Sequence, residues 1–262
     1  MNGSPVASSG RLSVRISVMV LTAVLYAAGK GITAYVPTPF HVGQLLVGIF
    51  IPAFLAVVCE TLPVAIGAGI GTFLGDVLFL APFGATTPFL SLTAGVPANF
   101  VAFLLFGWFV KRYKSWAGFV AGTVSFVTLG NLIAATLVAV VLPAPLSVIP
   151  GLTVFWNATS IPAIIVAVPF LVRAVRPLFG RSRMLTFDPS WVSAPTSGQT
   201  ILAVLFALIF LVLGVLFFVL EVPNPLGLNI ETYAIAAALV LIFAPIAGVV
   251  AGAEIKAKAS AR

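Results

Sequence analysis

Long runs of apolar residues constrain this sequence more than any other feature. Eight such runs follow one another along the 262 residues, each near the roughly 20 residues that a helix needs to cross a bilayer. Only 7% of the chain is charged while 61% is hydrophobic, and a water-soluble domain needs more charge than this on its surface. The sequence therefore predicts an all-α membrane protein that crosses the bilayer about eight times.

Hydropathy sets the approximate bounds of the eight predicted spans. We interpret the first run as a retained helix behind a polar tail, because it is too long for a signal-peptide core. The second and third spans are separated by little more than Glu60 to Pro63, which predicts a tight hairpin. The predicted spans are 13–36, 43–60, 63–83, 90–110, 116–142, 150–173, 199–220 and 232–252.

The distribution of Lys and Arg predicts the orientation of the chain. An even number of spans places twelve of the 13 basic residues on one side of the membrane, with Lys30 as the exception. Because basic loops stay in the cytoplasm, both termini are predicted to be cytoplasmic and the protein to lie in the plasma membrane. The net charge of +7 does not indicate nucleic-acid binding, since these residues occupy short loops rather than one soluble face.

The chain divides into three predicted segments. Residues 1–175 form a unit of six helices, and residues 176–198 form a basic linker rich in Pro, Gly and Ser. Residues 199–262 form a C-terminal hairpin of two spans with a basic tail. The hairpin contains almost no polar side chain, so its predicted role is packing against lipid or a partner.

Polar side chains inside the predicted spans are candidate functional residues, because an unpaired polar group in hydrocarbon is costly. Helical spacing places Ser125 and Thr128 on the face of Asn131, and Ser160 on the face of Thr153 and Asn157. Most of these side chains are placed in the outer half of the membrane. We therefore predict an outward-facing polar cavity with these solute-binding residues: Lys30, Asp76, Asn99, Thr128, Asn131, Thr153 and Asn157.

Structural roles compete with this hypothesis. An Asn inside a membrane helix also serves to join helices by hydrogen bonds, and Asp76 could be a structural partner of Lys30. Trp108, Trp116 and Trp156 lie near the predicted span ends and are interpreted as interfacial anchors.

Three short features resemble the substrate-binding S component of energy-coupling factor (ECF) transporters. They are Ala23-x-x-x-Ala27 on the first helix, the tight hairpin after Pro52, and the run Gly-Thr-Phe-Leu-Gly-Asp-Val-Leu-Phe at 71–79. The six-helix unit also has the size of that family. The chain departs from the family by its two additional helices.

The resemblance implies a function and a set of partners. Such a subunit binds a vitamin-like micronutrient from outside, while a transmembrane T component and two cytoplasmic ATPases drive its release inside. Ala23 and Ala27 would contact the T component. ATP would be hydrolysed by the partners, because this chain has no Walker phosphate loop. The sequence does not identify the solute.

Other functions compete with this one. A self-sufficient ion-coupled transporter would use Asp76 or Glu60, although a proton relay usually needs several acids inside the membrane. An enzyme is disfavoured because Cys59 and His41, the single cysteine and single histidine, lie at opposite ends of one predicted span. The same scarcity of ligands predicts no metal site. A purely structural membrane subunit is the third alternative.

Overall fold

A computed structural model gives the architecture of residues 6–36, 38, 42–178, 181–187 and 189–192, with short pieces at 242–243, 245–247 and 249–250. This part of the chain is helical and contains no strand. Five of its helices are long and apolar enough to cross a membrane, as expected for a multi-pass membrane protein. The predicted seventh and eighth spans lie outside the described residues, apart from those short pieces.

Six helices, numbered here in chain order, make up the described bundle. The helices are α1 (Val6–Thr33), α2 (Val47–Val58, which begins with a 3-10 turn at Val47–Ile49), α3 (Thr61–Phe83), α4 (Pro88–Arg112), α5 (Trp116–Val141) and α6 (Val148–Leu178). Four of them, α2, α3, α4 and α6, change helical type along their length.

Three predicted boundaries were wrong, and one of them is the end of α6, which lies at Leu178 rather than at 173. α1 begins at Val6, so most of the predicted polar tail is helical. α2 begins at Val47 rather than at 43, because Gly43 has φ +73° and its N–H donates to the carbonyl of Ala85 at 2.9 Å. That bond ties the loop before α2 to the loop between α3 and α4. The predicted tight hairpin is present, since only Cys59 and Glu60 separate α2 from α3.

A row of glycines on α3 brings this helix into close contact with α1. A Cβ on Gly71 would lie 2.7 Å from the carbonyl oxygen of Ala23, and one on Gly67 would lie 2.7 Å from Cβ of Thr22. Gly75 continues the row beside Ala27 and Lys30. Membrane helices associate mainly by such packing, because lipid provides no hydrophobic force between them. The glycines of α3 therefore form the closely packed contact with α1.

The predicted role of Ala23 and Ala27 needs correction. Both alanines are buried, with 4% and 5% of their surface exposed, and the helix that approaches them is α3 of the same chain. They are therefore not accessible to a T component in this structure. The exposed side of α1 is instead a stripe of large apolar residues with helical spacing: Leu12, Ile16, Val20 and Val24.

The basic end of the bundle, where α2 turns into α3, is held by ionic and capping contacts. Arg15 and Glu60 form an exposed ion pair with an N–O distance of 2.5 Å, and the guanidinium holds the pKa of Glu60 below its usual value. Lys111 donates to the carbonyl of Cys59 and to Oγ1 of Thr61. Part of the predicted linker also packs here, because the N–H of Thr186 donates to the carbonyl of Val58 at 3.0 Å.

The glycine row generates a stability prediction with a matched control. Gly71→Ala should destabilise the fold by about 1–3 kcal/mol, because the added methyl overpacks the contact with α1. Gly69→Ala, two residues away, should be nearly neutral, since its Cβ would lie at an ordinary 3.4 Å from Val96. Thermal unfolding in detergent can be followed by the reactivity of Cys59, which is buried in the folded protein. Equal melting temperatures for the two variants would contradict the packing assigned to Gly71.

Candidate functional site

A cavity opens among α1, α3, α4 and α5 at the end of the bundle opposite the basic end. Its space is about 780 Å³, which includes open solvent at its mouth. The loop before α2 also contributes Val42, Gly43 and Gln44 to the lining. Four of the seven predicted solute-binding residues line this cavity: Lys30, Asp76, Asn99 and Asn131.

A buried ion pair forms one wall of the cavity. Lys30 Nζ donates to Asp76 Oδ1, and the two side chains are only 7% and 8% exposed. The second carboxylate oxygen of Asp76 accepts a hydrogen bond from Ser91 Oγ at 2.6 Å. Charges removed from water need this kind of pairing and hydrogen bonding. Asp76 is therefore a structural partner of Lys30, as the competing interpretation predicts. The pair lies at the cavity surface.

Asp76 and Ser91, which are joined by this hydrogen bond, each begin a π-helical turn. One turn is Asp76–Leu80 in α3, and the other is Ser91–Gly95 in α4. Such turns are rare and often occur at functional sites, because they widen the helix and rotate its side chains. Gly95 permits the π-helical turn of α4 to approach Asp76, since a Cβ on Gly95 would lie 3.2 Å from Asp76 Oδ2.

Asn99 is held by contacts inside the bundle. Its Oδ1 accepts a hydrogen bond from the hydroxyl of Tyr26 at 3.0 Å, and its Nδ2 donates to the carbonyl of Gly95 at 2.9 Å. Tyr26 is fully buried, so the pair links α1 to α4 beneath the cavity. Asn99 therefore both connects helices and contributes to the lining.

The predicted polar faces of α5 and α6 meet each other. Asn131 Nδ2 donates to Asn157 Oδ1 at 2.9 Å, and both side chains are buried. Only Asn131 reaches the cavity lining. Asn157 lies behind it and joins the helices, which is the competing structural role for these amides.

Two predicted binding residues lie away from the lining. Thr153 is buried, and its hydroxyl donates to the carbonyl of Ile149 one turn earlier at 2.7 Å. Thr128 is also buried, and its Oγ1 has no hydrogen-bond partner among the described residues. Like Asn157, these two side chains are not part of the cavity lining.

Sequence reasoning missed three residues that shape the cavity. Trp156 is 6% exposed and its Nε1 donates to the carbonyl of Gln44 at 3.2 Å, so it is a wall of the cavity and not an interfacial anchor. Ser91 and Gln44 bring their polar groups from an irregular turn and a loop, where helical spacing gives no signal. Trp108, in contrast, is 61% exposed, as a residue facing lipid or the interface would be.

The described residues offer no group of three or more His, Cys, Asp or Glu side chains that could hold a metal ion. The site instead combines one ion pair, three amides and a tryptophan with an apolar lower wall that includes Phe103 and Phe106. Comparisons of the chain with protein families, with curated proteins and with solved structures found no match.

The ion pair generates a prediction about stability. Lys30→Met should destabilise the protein by about 3–5 kcal/mol, because it leaves a buried carboxylate without its partner. Lys30→Met combined with Asp76→Asn should recover most of this loss, since the introduced amide is uncharged and its oxygen would still accept the hydrogen bond from Ser91. The measurement is thermal unfolding of the purified variants in one detergent. A double variant as unstable as the single one would contradict the assigned pairing.

Proposed function

We propose that this protein is the substrate-specific membrane subunit of an ECF-type importer, which binds a small micronutrient in the cavity beside Lys30 and Asp76. One observation carries the proposal: polar side chains from several helices converge on one cavity inside a bundle of helices that are long and apolar enough to cross a membrane. A purely structural subunit would have no need of such a space.

The position of the cavity also supports binding of the solute from outside the cell. It lies at the end of the bundle opposite Arg15 and Lys111, and basic residues favour the cytoplasmic side of a membrane. In our proposal the cavity therefore faces the outside and the two chain ends lie in the cytoplasm. The solute enters past the loops around Gly43 and Thr86, both of which line the cavity.

Energy for release comes from partner proteins in this proposal. A T component and two cytoplasmic ATPases supply it, and the chain itself is not an enzyme. Because Ala23 and Ala27 are covered by α3, we assign the membrane partner to another surface. The exposed stripe of α1 at Leu12, Ile16 and Val20 is available for it, as no described helix covers these side chains.

Blocking the cavity tests the proposal directly. Ala134→Phe places a ring in the cavity, because Ala134 is on α5 and lines it. Val140→Phe is the control on the same helix, since Val140 is 70% exposed. Small molecules released by denaturing each purified protein are measured by mass spectrometry. We expect a molecule bound to the wild type and to the control, and at least about tenfold less of it in the blocked variant. Release of the same molecules in equal amounts from all three proteins would refute solute binding in this cavity.

A second experiment separates the ECF proposal from a self-sufficient ion-coupled transporter. The solute identified by mass spectrometry is radiolabelled, and its uptake is measured in cells that produce this chain with or without a T component and ATPases. We expect uptake to stop when the ATPases carry an inactivating substitution in their phosphate-binding lysine. Uptake that needs no partner, and that an ionophore abolishes, would establish the ion-coupled alternative instead.

A further inference from the structure

Gln44 leaves one buried hydrogen-bond acceptor unused at the cavity. The side chain is 1% exposed and belongs to the lining. Its Nε2 donates to the carbonyl oxygen of Lys30 at 2.7 Å and to Thr33 Oγ1 at 3.1 Å. A backbone carbonyl can only accept a hydrogen bond, so this contact fixes which end of the amide is nitrogen. The oxygen, Oε1, has no partner among the described residues.

An acceptor buried in this way favours a ligand that donates a hydrogen bond. Buried polar atoms are almost always paired, and leaving one unpaired costs free energy that a bound N–H or O–H group would recover. Gln44 cannot satisfy Oε1 by rotating its amide, because rotation would place two oxygens against each other at Lys30. Because Gln44 lines the cavity, a solute whose donor reaches Oε1 would supply the missing hydrogen bond.

The charges of the cavity indicate that the solute carries none. Lys30 and Asp76 are the charged residues among the described lining residues, and they are paired with each other. Both carboxylate oxygens of Asp76 already accept hydrogen bonds, from Lys30 and from Ser91. A charged solute would have to separate this pair and leave one charge uncompensated in a poorly hydrated space.

Aromatic side chains form part of the remaining cavity wall. Trp156 lines the cavity beside Gly43, and Phe103 and Phe106 line its lower part. The indole N–H is already engaged with the carbonyl of Gln44, so Trp156 offers the solute its ring and not a hydrogen bond. Aromatic faces of this kind pack well against planar rings.

We infer that the cavity selects an uncharged ring compound that donates an N–H hydrogen bond to Gln44 Oε1. This inference rests on the proposed function and narrows its substrate class. It excludes carboxylates, phosphates and ammonium compounds as preferred solutes. Amino acids and acidic vitamins are thereby disfavoured.

Three compounds that share one ring separate the effect of the hydrogen-bond donor from the effect of charge. Uracil is uncharged and carries two N–H donors, 1,3-dimethyluracil keeps the ring without these donors, and orotate adds a carboxylate. Binding of each probe to the full-length protein in lipid nanodiscs is measured by saturation-transfer NMR and titration. We expect uracil to bind at least about tenfold tighter than either analogue, which corresponds to one hydrogen bond or one unpaired charge. Absence of saturable uracil binding, or equal or tighter binding of 1,3-dimethyluracil or orotate, would overturn the inference.

Substitutions test whether Gln44 causes the preference for uracil over its analogues. Gln44→Leu should reduce the preference for uracil over 1,3-dimethyluracil to about twofold or less, since the acceptor is gone. Val140→Phe is the control and should bind uracil within about threefold of the wild type, because Val140 is 70% exposed and does not line the cavity. An unchanged preference in Gln44→Leu, with the fold intact by thermal unfolding, would contradict the role assigned to Oε1.

The experiments distinguish a wrong substrate class from a wrong function. If the molecule released from the wild type depends on Ala134 but carries a net charge at neutral pH, the substrate class is wrong and solute binding stands. If no released molecule depends on Ala134, solute binding itself fails.

Discussion

The close approach of α1 and α3 is the contact on which the rest of the site depends. Gly67, Gly71 and Gly75 have no side chain where α3 meets α1, so that the backbones of the two helices come close together. Lipid does not push helices together as water does, and close packing must supply the association. The same approach brings the end of α1 beside the π-helical turn of α3, where Lys30 reaches Asp76.

The ion pair and the two π-helical turns work together as one unit. Two charges buried in a membrane are tolerated when they neutralise each other and their remaining oxygen is hydrogen-bonded, here by Ser91. Gly95 lets the turn of α4 approach this carboxylate, and Gly75 leaves room for the Lys30 stem. The result is a neutral but strongly polar wall whose two charges are engaged with each other.

Polar residues inside the helices serve two different purposes that the sequence does not distinguish. Asn157 joins α5 to α6 and, like Thr153 and Thr128, is outside the cavity lining, whereas Asn131 belongs to the same interface and also reaches the cavity. Periodicity placed these side chains on shared faces but could not say what each face meets. The misassigned alanines show the same limit: a row of small residues predicts a closely packed helix, but here the helix is α3 and not a partner protein.

Apolar run length and polar spacing by themselves determined the membrane class, the first six helices to within a few residues at most ends, and the buried polar faces. These follow from local properties: the thickness of the bilayer and the pitch of a helix. Only the tertiary structure decided that Gln44, Ser91 and Trp156 line the cavity, and that Asp76 and Lys30 close on each other. Those outcomes depend on contacts between residues distant in sequence, and on a loop and two π-helical turns whose geometry no regular period encodes.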